Sequence, residues 1–299
     1  MSASETPASP TTAEVRVPLR RQGLLRRSLR QSRMRVGLVL TTVIVLVAVL
    51  GPFVAPYGPG DLVGAPYQGP SSGTPLGTDY LGQDVFSRVL RGGWSVLWMS
   101  LAATVLGVAA GAAVGMLAGF SRSTLDDLLM RVMDVFLAFP VIVLVLLFIS
   151  MIGSKGWVIA LVVGVAWMPQ VARVVRGATV EVVMREYVQS AEVLGAPRRM
   201  ILAREILPSI ITPLMVEFGL RLTWSIGLIA AISFLGQGLQ PPAADWGLMI
   251  KQNRQGLAIQ PWGVVMPVFL IAAFTVGTNL MTESISRTVA LVAPSEGAR

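Results

Sequence analysis

The sequence predicts an all-α polytopic membrane protein of about six transmembrane helices, with both termini in the cytoplasm. Three observations predict it. Of 299 residues, 54% are apolar and only 13% charged, against about 25% charged in ordinary soluble domains, and the mean hydropathy is +0.68. Several windows of 18 or more apolar residues recur along the chain, each long enough to cross a bilayer. The basic residues are unevenly distributed between the segments joining those windows.

Residues 1–15 are Ser, Thr, Pro, Ala and Glu and read as disordered. Residues 16–35 are basic, with Leu19, Leu24, Leu25 and Leu29 set among Arg residues. They read as an amphipathic helix on the inner leaflet, where acidic lipid is an additional partner. Together, 1–35 form a cytoplasmic N-terminal segment ahead of a transmembrane domain over 36–290, with 291–299 a cytoplasmic tail. The first span is expected at Val36–Val54. A basic stretch before an apolar run also fits a cleaved signal peptide, but the long N-terminal lead and the length of the run favour a retained anchor.

Residues 55–93 are rich in Pro, Gly, Ser and Tyr and read as an irregular outside segment. Thr78 or Asp79 could cap a short helix there. The second span, Val96–Phe120, carries Ala103, Gly107, Gly111, Gly115 and Gly119 at every fourth residue. Such a stripe lets another helix approach closely, within the subunit or from a partner. A cytoplasmic turn holds Arg122, Asp126, Asp127 and Arg131. The third span is expected at Val132–Ile152 with a kink at Pro140. A turn at 153–156 leads to the fourth, Trp157–Val175.

A polar island follows, Arg185 to Pro208 within a loop at 177–208. Its charges are costly in hydrocarbon, so it lies in water. It reads as helix, turn, helix: Glu186–Leu194 lacks Gly and Pro, Gly195 suits a left-handed helix end, and Pro197 suits the first turn of the next helix. Val188, Ala191 and Leu194 share one face, with Glu186, Gln189 and Glu192 around the rest. This is either an amphipathic helix suited to docking a soluble partner or an ordinary cytoplasmic loop. The fifth span, Ile210–Leu235, holds Glu217 and Arg221 four residues apart, where they can pair. Buried ionisable groups in a span point to function; an ion pair that merely fixes helix rotation is the equal alternative. The outside segment 236–261 reads as short helices and a turn, and the last span as Trp262–Thr282.

With these spans, and with Arg173 at the end of the fourth counted with the loop it leads into, eighteen of the 24 Lys and Arg residues fall on one side, five on the other, and Arg221 within a span. That asymmetry places the richer side in the cytoplasm. It also explains the net charge of +8 without nucleic acid. The chain has no Cys and no His, which excludes thiol nucleophiles, disulfides, His-ligated metal sites and Ser-His-Asp triads. A Ser–Lys hydrolase is disfavoured because Lys155 and Lys251 lie in outside loops. No Gly-x4-Gly-Lys-Ser/Thr loop is present, so the chain lacks a Walker phosphate site. A secondary transporter would need ionisable groups deep in the spans, where only Glu217 and Arg221 qualify, and no inverted repeat is evident.

Three motifs resemble the permease subunits of binding-protein-dependent ABC importers. Gln189-Ser190-Ala191, three residues, Gly195, nine residues, then Glu205-Ile206-Leu207-Pro208 resembles that family's coupling loop, Glu-Ala-Ala, x3, Gly, x9, Ile-x-Leu-Pro. Ala191, Gly195, Leu207 and Pro208 match; Gln189 stands for the Glu and Glu205 for the Ile. Asp134 with Pro140, and Trp167, Ala172, Arg173, Arg176 and Gly177, also resemble the family's runs. Gly77-Thr78-Asp79 through Ser87-Arg88, and Ser233-Phe234-Leu235-Gly236 through Pro241-Pro242 to Trp246-Gly247, resemble two signatures of its dipeptide, oligopeptide and nickel branch. The resemblance covers about residues 36–290. It implies a type I importer with a second related permease, two ATP-binding ABC subunits and an extracytoplasmic solute-binding protein, in the cytoplasmic membrane of a prokaryote. ATP hydrolysis is then expected on the separate subunits, with no catalytic, cofactor or metal site on this chain. The implied coupling residues are Gln189, Ser190, Ala191, Glu192, Gly195, Ala196, Pro197, Leu207 and Pro208. Glu217 and Arg221 are candidates for the translocation cavity. Peptides are the first expectation for the solute, with nickel chelates, glutathione, opines and oligosaccharides behind.

Overall fold

A computed structural model describes residues 31–121 and 123–292. The expected disordered segment 1–15, most of the basic segment 16–35, Arg122 and the end of the expected tail lie outside the described residues. The described chain is helical, with isolated bridges at Leu62–Gln83 and Thr78–Asp84. In order, the helices are α1 (Ser32–Val54), α2 (Val85–Ser121), α3 (Thr124–Leu137), α4 (Val141–Ile152), α5 (Gly156–Val183), α6 (Glu186–Val193), α7 (Arg198–Ile201), α8 (Leu207–Leu235), α9 (Trp246–Asn253) and α10 (Trp262–Val292). Among the described residues, five helical stretches are long and apolar enough to cross a membrane: α1, α2, α5, the continuous run Arg198–Leu235, and α10 over Trp262–Thr288.

The sixth expected span is different. Pro140 does not kink a continuous helix: α3 and α4 are separate and meet at 86°. Pro140 sits before the first turn of α4 in an extended conformation (φ −57°, ψ 126°), where its missing N–H costs nothing. α4 has 12 residues, about 18 Å of helix, too short to cross the hydrocarbon alone. α3 begins inside the expected cytoplasmic turn, with the Ser123 hydroxyl accepting from Leu125 N–H and Asp126 and Asp127 in its first turn. It is fixed to α5 by Asp126, whose two carboxylate oxygens accept from Arg176 at 2.6 Å each, and by Asp134 with Arg173.

The helix of 37 residues from Val85 is about 55 Å long, so α2 extends well beyond the hydrocarbon. Its small-residue stripe packs within the subunit, against α5. A Cβ on Gly107 would come within 2.7 Å of the Gly164 carbonyl oxygen, on Gly111 within 2.6 Å of Val171, on Gly115 within 2.5 Å of the Ala172 carbonyl, and on Gly119 within 2.8 Å of Thr179. The two backbones lie as close as they do because those positions lack side chains. α1 joins the bundle through one stripe, Met34, Gly37, Ile44, Ala48 and Gly51, packed on α10 and α2. Residues 32–35 belong to this helix rather than to a separate segment on the leaflet.

At one end of the bundle the segment before α2 and the first turns of α2 interlock with α9. The Arg88 guanidinium pairs with Asp79 and donates to Gln252 at 2.8 Å. Tyr80 N–H donates to Asn253, and Trp246 is fully buried against Gly92 and Gly93, its indole N–H donating to the Val89 carbonyl. Asp245 starts α9, accepting from Leu248 N–H and from the Ser95 hydroxyl. Thr78 and Asp79 do not cap a helix. Thr78 bridges Gln68 N–H and the Ala65 carbonyl, Asp79 holds its own turn and Arg88, and Asp84 caps α2 by accepting from Ser87 N–H. The two sequence signatures thus form one packed knob.

Candidate functional site: the polar elbow

The opposite end of the bundle carries the elbow between α5 and α8. α6 ends as the sequence requires. Gly195 has φ +77°, Gly195 N–H donates to the Glu192 carbonyl, and Ala196 N–H donates to the Ala191 carbonyl. This paired arrangement closes the helix and satisfies its last carbonyls. Pro197 stands one place earlier than expected, just before α7 rather than in it, with φ −65° and ψ 140°.

Val188 is fully buried in an apolar cluster with Val182, Val183, Ile201, Ile206 and Ile210, against which Ala191 and Ala196 also pack. The cluster ties the elbow to the end of α5 and the start of α8. The Tyr187 and Ser209 hydroxyls share a hydrogen bond of 2.9 Å, a second tie that spacing did not reveal. Leu194 departs from the expected face. With Val193 it projects from the tip, and the two are 85% and 88% exposed. Leu194 closes the last turn, where the chain is already leaving the helix, so its helical phase no longer directs it inward. Gln189, Ser190, Glu192 and Pro197 are exposed around this tip. The Gln189 side-chain amide reaches back to the Met184 carbonyl at 3.3 Å.

Leu207 and Pro208 belong to the same end, at the root of α8. A wide helical turn, Leu202–Ile206, precedes them, and Leu207 N–H donates to the Leu202 carbonyl five residues back. A proline ring crowds the carbonyl of the preceding turn, and a widened turn relieves it without a break. The helix therefore runs on from Arg198 to Leu235, 38 residues.

Glu217 and Arg221 lie farther up the same helix, about 15 and 21 Å from Leu207. They pair at 3.0 Å, both nearly buried. The Arg221 guanidinium also donates to Gln170 and stacks 5.4 Å from the Trp167 ring centre. One turn on, Ser225 accepts from Trp167 Nε1–H at 3.0 Å and from the Thr104 hydroxyl at 3.2 Å. The pair thus belongs to a polar seam joining α8 to α5 and α2. Gln170, Ser225 and Thr104 were not singled out in the sequence; a polar residue in an apolar span was the available signal.

Residues 111–291 match the model of the binding-protein-dependent transport system inner membrane component family. The chain belongs to that family. Residues 21–70 match the N-terminal transmembrane domain of oligopeptide transport permease C. The permease is 35% identical over 218 residues to the glutathione transport system permease protein GsiD of Pectobacterium atrosepticum, covering 73% of this chain and 72% of that protein. It is 34% identical over 261 residues to a putative peptide transport system permease protein of Brucella suis biovar 1, covering 87% and 88%. Its fold is similar to an inward-facing structure of the MetNI methionine ABC transporter, with TM-score 0.51, 21% identity, and coverage of 66% of this chain and 96% of that one. The chain is thus a multi-pass permease subunit of an ABC importer, and such permeases work with other ABC components. The all-helical membrane architecture expected from the sequence stands, with the third span replaced by a bent pair.

Proposed function

We propose that the elbow is the surface by which a separate ATP-binding subunit drives this permease, and that the permease carries peptides, glutathione included. Two such ATPase subunits, a second related permease and an extracytoplasmic solute-binding protein complete the importer. It sits in the cytoplasmic membrane of a prokaryote, with the elbow and both termini inside. ATP hydrolysis belongs to the partner subunits. The peptide assignment is supported by the relatives named for glutathione and peptide transport.

The observation that carries the coupling role is the tip itself. Two adjacent apolar side chains, Val193 and Leu194, stand 88% and 85% exposed on a short helix clamped at both ends. An exposed apolar knob on a rigid mount suits insertion into a cleft. Closure of the ATPase dimer would displace that mount, and the unbroken helix from Arg198 would carry the displacement into the spans. Gln189, Ser190, Ala191, Glu192, Gly195, Ala196 and Pro197 shape the knob, and Leu207 with Pro208 roots it. Glu217 and Arg221, near the middle of that helix, lie where the displaced helix meets the solute path.

The test is Gly195→Asp. A Cβ there meets open space, so the cost is confined to the left-handed backbone and to a charge at the tip. The variant should insert normally and fail to import labelled peptide in cells expressing the whole importer. Normal uptake by the stably inserted variant would refute the coupling role.

A further inference from the structure

A groove near the elbow end lies outside the coupling surface. α1 and α8 both pack on α10, yet they scarcely touch each other. The opening between them has a volume of about 220 Å³, with Thr41 of α1 on one wall, Phe218 and Leu222 of α8 on the other, and Met281 and Thr282 of α10 as floor. Thr41 falls in register with the buried stripe of α1, between Gly37 and Ile44, but it is only half-buried. The seam is open there.

The lining offers hydrocarbon rather than hydrogen bonds. The Thr278 and Thr282 hydroxyls are consumed by the Phe274 and Thr278 carbonyls of their own helix, at 3.0 and 2.9 Å. Among the lining residues only the Thr41 hydroxyl is buried without a partner. A water needs two to four polar partners to be held, so the space suits an apolar occupant.

The mouth is cationic. Past Thr282, Glu283 is held between Arg33 at 2.8 Å and Arg287 at 2.7 Å. Arg35 is exposed and has no ion pair among the described residues. Arg35 lies six residues before Thr41 and Arg287 five after Thr282, each about 8–9 Å along its helix. One acyl chain lying in the groove would bring its phosphate among these guanidinium groups.

We propose that this groove holds one acyl chain of an anionic glycerophospholipid, with its phosphate bound by Arg35 together with Arg33 and Arg287. The site requires that the chain spans a bilayer; it does not depend on the coupling role of the elbow. Juxtamembrane arginines attract anionic headgroups, and the groove adds apolar burial that a flat helix face lacks.

The test is native mass spectrometry of the importer purified in mild detergent, offered phosphatidylglycerol or phosphatidylcholine of equal chain length. The native protein should retain phosphatidylglycerol about fivefold better. Thr41→Phe, which fills the groove, should reduce the retained lipid at least tenfold. Met281→Trp, which fills it from the floor, should do the same and guards against a misfolded first variant. Arg35→Gln should keep the lipid but lose the preference. Equal retention of both lipids by the native protein, or full retention in both filled variants, would overturn the proposal. Efficient cross-linking of Met281→Cys to the partner permease, with no lipid retained, would overturn it too, because the groove would then be a subunit interface.

Discussion

Leu194 is the sharpest place to test coupling, because its side chain contributes almost nothing to this subunit. It is 85% exposed and lies outside the apolar cluster that fixes the elbow. Truncation to Ala should therefore leave the fold alone: a shift in melting temperature below about 2 °C follows from a surface change within about 0.5 kcal/mol. Docking is another matter. Burying a Leu side chain fully contributes about 1.5–3 kcal/mol, and most of that surface is available here. If the tip enters a packed cleft, Leu194→Ala forfeits about 2 kcal/mol of the interaction, close to a 30-fold loss of affinity. The assay is titration of the purified permease in detergent or nanodiscs against its ATPase subunit, read by fluorescence anisotropy, with melting measured in parallel. An affinity within twofold of the native value, at unchanged melting temperature, would refute the docking geometry. An affinity loss accompanied by a large fall in melting temperature would refute the premise that Leu194 is free of its own subunit.

Gly115→Leu should abolish accumulation of folded protein, because even a Cβ would meet the Ala172 carbonyl at 2.5 Å; Gly115→Ala should cost about 1–3 kcal/mol, read as detergent thermostability. Arg221→Gln leaves Glu217 buried without its cation and should destabilise by about 3–5 kcal/mol. The double change Glu217→Gln with Arg221→Met should recover much of that loss. Asp245, outside the spans, has its carboxyl pushed above the usual range by burial, against hydrogen bonds from Ser95 and Leu248 N–H that pull it down. A folded-state pKa above the unfolded one means stability is gained as pH falls through the raised value, and the gain is complete below about 3.9. Asp245→Asn should remove that gain, so the difference in melting temperature between the two proteins should shift against the variant on acidification.

Hydropathy and charge asymmetry made the spans and the elbow legible, because both depend on the solvent rather than on distant partners. Gly195 was legible for the same kind of reason: a left-handed position constrains its residue locally, and the φ of +77° agrees. The third span was legible as an apolar run bent at Pro140, but the size of the bend was not, because nothing local separates a modest kink from an 86° turn. The pairing of α3 with α5 through Asp126 and Arg176, 50 residues apart, decides that. The knob was also beyond a local reading. Thr78 and Asp79 carry cap chemistry, but Asp79 is taken by Arg88, and Gln252 and Asn253 reach that neighbourhood from across the fold. Leu194 was misplaced because helical phase was extended one residue past where the helix ends.

Two kinds of seam meet in the bundle, and they differ in what they permit. α2 and α5 touch through glycines and backbone, where any relative shift either opens a void or drives Cβ atoms into carbonyls. α8 meets the same pair through side chains, with Ile210 and Ile229 in apolar clusters on either side of hydroxyls, an indole and a guanidinium that can exchange partners. If the elbow drives the spans, motion should therefore occur between α8 and the fixed α2–α5 pair. Thr104 and Ser225 sit on that seam with their hydroxyl oxygens 3.2 Å apart, close enough for a disulfide if both are Cys. In the importer carrying Thr104→Cys and Ser225→Cys, oxidation should stop peptide uptake, and reduction should restore it. The single variants should be insensitive to both. Undiminished uptake by the fully oxidised pair would mean that α8 moves together with α2 and α5, and the displacement would have to be sought elsewhere, at the junction of α3 and α4.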